Sequence, residues 1–195
     1  METFVNILKV IHIITAVLMA WPFYALVGVN QRARLGPPLG DRTDTYLENL
    51  IKNRTVPCFV FQATALVSGL ILVFLRGLGV SYLLANPALL IKLLLLLTIA
   101  SLLTYVHTSL QPEIDSLFTN LRSSSSSQET SKKIAALRLR RKRMASICLF
   151  CVLTATMLGV LVWLPFQFWL TALLVIAIAL FVWRAYSSVI PYGWV

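Results

Sequence analysis

Residues 86–112 read NPALLIKLLLLLTIASLLTYVHTSLQP. A bilayer core of about 30 Å takes about 20 apolar residues at 1.5 Å each, so this stretch is long enough to span one. Pro87 opens it and Pro112 closes it, as helix punctuation. Inside stand Lys92 and His107. They lie about 60° apart around a helix and roughly 22 Å apart along it, so both face one side, toward the protein interior. An ionisable group at membrane depth costs a few kcal/mol and marks a functional site by default.

The rest of the chain has the same character. Of its 195 residues, 58% are hydrophobic and 12% charged, and the mean hydropathy is +0.83. That is the composition of an integral membrane protein and excludes an ordinary soluble core. The net charge is +10, but the basic residues lie mostly between the apolar runs. Their reading is membrane orientation and contact with anionic lipid, not nucleic acid. Three cysteines, all in or beside apolar runs, make no disulfide framework. The first apolar run is too long for the core of a secretory signal. No phosphate-binding loop, nucleophile elbow or zinc-protease motif is present, so soluble-type catalysis has no support.

Five apolar segments follow from the hydropathy pattern, at residues 4–29, 57–75, 88–110, 144–164 and 166–185. The expected fold is an all-α integral membrane bundle forming one domain. Pro22 is expected to kink the first segment. Residues 30–56 are read as a polar loop with a turn at Gly36, Pro37 and Pro38. A short interfacial helix capped by Asp41 follows, with Tyr46, Leu47, Leu50 and Ile51 on one side. Residues 113–143 are read as a basic cytoplasmic loop with a flexible serine run at 123–127. A helix start is expected near Ser126 and Glu129, which have capping-box spacing. Residues 163–166 are expected to turn a tight hairpin between the last two segments.

Lys and Arg divide thirteen to one between the two sides that five spans define. The positive-inside rule then puts the N-terminus outside and the C-terminus in the cytoplasm. Trp163 and Trp169 fall at the outer aromatic belt, Trp183 and Tyr186 at the inner one. His12 and Lys92 come out at similar depth near the outer side, with His107 near the inner side. The plain alternatives are a lysine that snorkels to the surface at 92 and a buried, hydrogen-bonded histidine at 12.

Cys58, Cys148, Cys151 and His107 share the inner level, and thiols with imidazole are the residue types that hold zinc or copper. Cysteine is equally an ordinary small core residue, and no metal is assigned. Cys148 and Cys151 lie within a helix rather than at its first turn, which speaks against a thioredoxin-like role. The run 138–143 is read as contacting anionic headgroups, at about 1 kcal/mol per residue near the surface.

Leu8-Lys9-Val10-Ile11-His12-Ile13-Ile14 resembles the opening of a superfamily of small helical membrane proteins. It includes HemJ-type protoporphyrinogen oxidases, the CopD copper-resistance domain and related integral membrane proteins. In HemJ-like chains the first helix carries such a histidine. The third helix opens with a lysine and closes with a Tyr-His pair, and haem b is bound. Here His12 and Lys92 stand in those places, with Tyr105 and His107 where the pair would be, and Pro57 also fits. The resemblance covers about residues 4–160. The Lys-to-His interval is longer here by about one helical turn, Val106 separates Tyr105 from His107, and the fifth segment is extra.

The resemblance implies a haem b or other tetrapyrrole bound between segments one and three, and redox chemistry as of a membrane oxidoreductase. His12 would be an axial ligand. Lys92 would be the catalytic charge partner for a propionate or substrate carboxylate, and His107, with Tyr105, a second ligand or proton carrier. Two other classes stand beside this one: a non-catalytic subunit of a larger respiratory or photosynthetic complex, and a metal-handling or transport protein. The expected partners are the lipid bilayer and a homo-oligomer or larger membrane complex. The expected location is a bacterial-type inner membrane or a thylakoid membrane.

Overall fold

The computed structural model describes residues 2–21, 23, 42–123, 128–162 and 167–187. Every element among them is helical: α1 Glu2–Leu18, α2 Arg42–Leu75, α3 Val80–Ala85, α4 Pro87–Tyr105, a π-helical turn Val106–Leu110, α5 Gln111–Ser123, α6 Gln128–Leu161 and α7 Phe168–Ser187. Four helical stretches are long and apolar enough to cross a membrane: Arg42–Leu75, Pro87–Leu121, Gln128–Leu161 and Phe168–Ser187. Among the described residues the chain is all-helical, with helices suited to a membrane protein.

α1 ends at Leu18, four residues before Pro22. A proline at that distance cannot donate to the Leu18 carbonyl. The backbone tightens instead, with the Ala20 N–H bonded to the Val17 carbonyl. The expected kink at Pro22 itself lies outside the described residues.

The second segment is much longer than 57–75. α2 is one helix of 34 residues, so the expected interfacial helix is its first half and not a separate element. Asp41, the expected cap, lies outside the described residues. Continuity comes from one buried stripe: Asp44, Glu48, Ile51, Thr55, Cys58, Gln62 and Ala65 are all buried, at alternating intervals of four and three. That spacing is a helical packing seam. Pro57 stands inside this helix and costs it one hydrogen bond. The seam runs through it, with Thr55 and Cys58 buried on either side.

The opening stretch behaves similarly. Asn86 caps α4 through its side-chain oxygen, which accepts from the Ala88 and Leu89 N–H groups, with Pro87 at the first turn. Pro112 does not close the segment. The chain widens into the π turn, where the Gln111 N–H reaches the Val106 carbonyl, and continues as α5. A π turn is one of the few devices that absorb a proline inside a helix.

α6 is also 34 residues, so the expected basic loop at 113–143 is largely α5 and the first half of α6. Residues 124–127, most of the serine run, and the hairpin at 163–166 lie outside the described residues. At 1.5 Å per residue α2 and α6 are each about 51 Å long. That exceeds a bilayer core by roughly 20 Å, so their polar halves stand clear of it.

α1 packs on α2, α4 on α6, and α7 on α6. The main core joins them through Met19, Phe23, Ile99, Leu149, Val152 and Val182. A second cluster at the polar end holds Leu110, Ile114, Phe118, Leu121 and Ile134. α7 turns Phe168, Leu180 and Trp183 outward, at 88%, 65% and 66% exposure. For a helix this apolar, that face is suited to lipid.

Candidate functional site

A cavity of about 380 Å³ lies between the two helical pairs, within the ~300–1,000 Å³ range of small-ligand pockets. His12 from α1 and Lys92 from α4 both line it. Leu66, Leu70, Leu93 and Leu96 supply apolar wall, and Lys9 and Arg76 add two more cations. No Asp or Glu is among the lining residues. Among the described residues the lining is therefore mostly apolar, with several basic side chains.

His12 is held by α2. Its Nδ1 lies 2.9 Å from the Ser68 Oγ. The single hydroxyl proton of Ser68 goes to the Thr64 carbonyl at 2.6 Å, so the oxygen accepts from the imidazole. This network assigns the proton to Nδ1 and leaves Nε2 with its lone pair. A histidine whose second nitrogen is bonded in this way is prepared to ligate a metal. Thr15 supports the same turn, its hydroxyl donating to the Ile11 and His12 carbonyls at 2.8 and 3.0 Å.

Lys92 is half-buried and makes no hydrogen bond or ion pair among the described residues. Its Nζ lies against Gly159 of α6, 3.1 Å from where a Cβ would stand. On the other wall the His12 ring lies against Gly69, with Cε1 3.0 Å from a Cβ built there.

His107 is placed elsewhere. It sits exposed in the π turn and does not line the cavity. Its Nδ1 is 3.0 Å from the Thr55 Oγ1, and its ring meets Phe59 edge-on at 6.0 Å. Tyr105 also lies outside the cavity, with the Arg140 guanidinium 5.3 Å from its ring centre. The structure thus brings His12 and Lys92 together and leaves Tyr105 and His107 apart from them.

The residues at the cavity fit one half of a haem site: an axial nitrogen and cations for carboxylates. They offer no second histidine among the lining residues. Cys58 is buried, its thiol donating to the Met19 carbonyl at 3.4 Å. Among the described residues no three His, Cys, Asp or Glu side chains come together as a metal site.

A second polar centre lies at the other end of the seam. The Arg141 Nη1 donates to the Glu48 Oε2 at 2.6 Å and to the Gln111 Oε1 at 2.7 Å, and the Arg138 Nε donates to the Glu48 Oε1 at 2.6 Å. Asp44 lies 3.7 Å from the Arg138 Nη2. Arg141, Glu48, Asp44 and Gln111 are buried. Part of the run read as a lipid-binding patch is therefore an internal charge network, while Arg140 and Arg143 remain exposed. Asp44, Glu48 and Gln111 carry this centre, and Ser68, Gly69 and Gly159 frame the first. Their signal in the sequence is position: Asp44 and Glu48 lie on the α2 seam, and Ser68 and Gly69 stand three and four residues beyond Ala65 on it. No protein-family model, curated protein or solved structure matches this chain.

Proposed function

We propose that this chain is a five-span membrane protein of HemJ/CopD-like type that binds a tetrapyrrole, haem b in the first instance, and supports redox chemistry. The first span is the apolar run at residues 4–29, read from hydropathy. The N-terminus is outside and the C-terminus cytoplasmic, in a bacterial-type inner or thylakoid membrane. The observation that carries the reading is His12: its Nδ1 lies 2.9 Å from the Ser68 Oγ, and it shares a cavity with Lys92, which makes no ion pair among the described residues.

Such a cavity suits a flat apolar molecule that carries both a metal and carboxylates. His12 would take the metal through Nε2 and Lys92 would hold a carboxylate. The bound group would supply one-electron chemistry. The chain's own residues would surround it with apolar wall and offset its negative charge. His107 serves outside this site, at the inner end of the bundle.

An absorption spectrum of the detergent-purified protein tests the reading. A Soret band that His12→Ala removes or shifts supports it. A protein that carries no tetrapyrrole and takes up none overturns it, and leaves an accessory subunit of a larger membrane complex as the better reading.

A further inference from the structure

Two of the residues that touch the cavity's functional groups are glycines inside helices, Gly69 in α2 and Gly159 in α6. Glycine in a helix interior costs stability relative to alanine. Neither position needs it for the backbone, since the positive φ found among the described glycines is at Gly77. The reason is steric. A Cβ at Gly69 would stand 3.0 Å from the His12 Cε1 and 3.6 Å from its Nδ1. The ring cannot simply retreat, because Ser68, the preceding residue on α2, holds Nδ1 at 2.9 Å. A Cβ at Gly159 would stand 3.1 Å from the Lys92 Nζ and 3.8 Å from its Cε. That contact is with the end of a flexible chain, so the ammonium would shift by a few tenths of an ångström rather than be expelled.

Resting on the tetrapyrrole reading above, we infer that Gly69 and Gly159 are positioning residues that set the two ends of the site independently. Gly69, with Ser68, fixes the angle at which the His12 imidazole meets a ligand metal. Gly159 fixes the ammonium of Lys92 against a ligand carboxylate. Each acts within one helical pair, α1 with α2 and α4 with α6, so a change in one leaves the other intact.

The test uses the full chain in detergent, titrated with haemin and with iron-free protoporphyrin. Gly69→Ala is expected to move the Soret band of the haemin complex while iron-free porphyrin binds within threefold of wild type. Gly159→Ala is expected to weaken both ligands by about threefold to tenfold with the Soret position unchanged, and Lys92→Ala to weaken both by more than tenfold. Gly79→Ala is the control, because a Cβ there meets only the Ser81 hydroxyl, at 3.6 Å, and it should match wild type. If Gly69→Ala fails to accumulate, Ser68→Ala carries the same arm without added bulk and should also shift the Soret band.

A purely structural role predicts that both glycine variants are neutral or more stable, with unchanged spectra and affinities. That outcome overturns the inference while leaving the tetrapyrrole reading standing. Equal loss of both ligands in Gly69→Ala overturns it as well. A wild-type chain that binds neither probe overturns both readings.

Discussion

Two histidines in this chain use the same local chemistry and differ in setting. Each places Nδ1 about 3 Å from a hydroxyl of α2, Ser68 for His12 and Thr55 for His107. Each hydroxyl already donates to a carbonyl one turn back, Thr64 and Lys52. Only His12 faces the cavity. We predict that His12→Ala removes or shifts the haem spectrum while the protein stays in the membrane. His107→Ala is predicted to leave the spectrum as it is. Removing the His107 bond by Thr55→Val should cost about 1 kcal/mol, read as a small fall in the thermal midpoint. A haem spectrum that survives His12→Ala but not His107→Ala would reverse the two assignments. The type and spacing of these residues are visible in the sequence. Their hydroxyl partners, 56 and 52 residues away, are not, because nothing local marks a serine or threonine on α2 as an acceptor.

At the level of elements, α2 and α6 are each half membrane helix and half polar arm. Two of the charge pairs at the polar end differ in worth. Glu48 and Arg141 are buried at 5% and 2% side-chain exposure, whereas Lys52 and Asp115 are 53% and 32% exposed. Removing one partner of a buried pair leaves an uncompensated charge and costs about 3–5 kcal/mol. An exposed pair contributes about 0–1 kcal/mol. We predict that Glu48→Ala lowers stability by about 3–5 kcal/mol and Lys52→Ala by less than about 1, measured by unfolding of the purified proteins in detergent. Replacing Glu48 and Arg141 together by leucine should recover much of the loss, since no buried charge of that pair is then left alone. Equal effects of the two single changes would show that the network is solvated after all. The sequence suggested a short interfacial helix in this region with Tyr46, Leu47, Leu50 and Ile51 on one side, yet the buried seam is Asp44, Glu48, Ile51 and Thr55 and it runs on into the membrane helix. Polar residues on a buried stripe look like surface until the partners that satisfy them, Arg138, Arg141 and Gln111, are known.

For the whole molecule, orientation is the property most open to test. The thirteen-to-one division of Lys and Arg predicts that the segment joining α5 and α6 faces the cytoplasm. A cysteine placed at position 125, in a chain whose own three cysteines are replaced, should resist a membrane-impermeant thiol reagent in intact cells. Labelling from outside would invert the topology.

Composition and hydropathy by themselves determined that this is an all-helical membrane protein, because burying backbone in lipid leaves few alternatives to the helix. They also singled out His12 and Lys92, since charge or imidazole in an apolar run is costly wherever the run lies. Only the tertiary structure decided that these two share a cavity and that Tyr105 and His107 do not line it. It alone turned part of the basic run inward onto Glu48. Hydropathy records each residue's cost of leaving water. Which partner offsets that cost depends on how helices from distant parts of the chain are packed, and that information lies between segments rather than within any one of them.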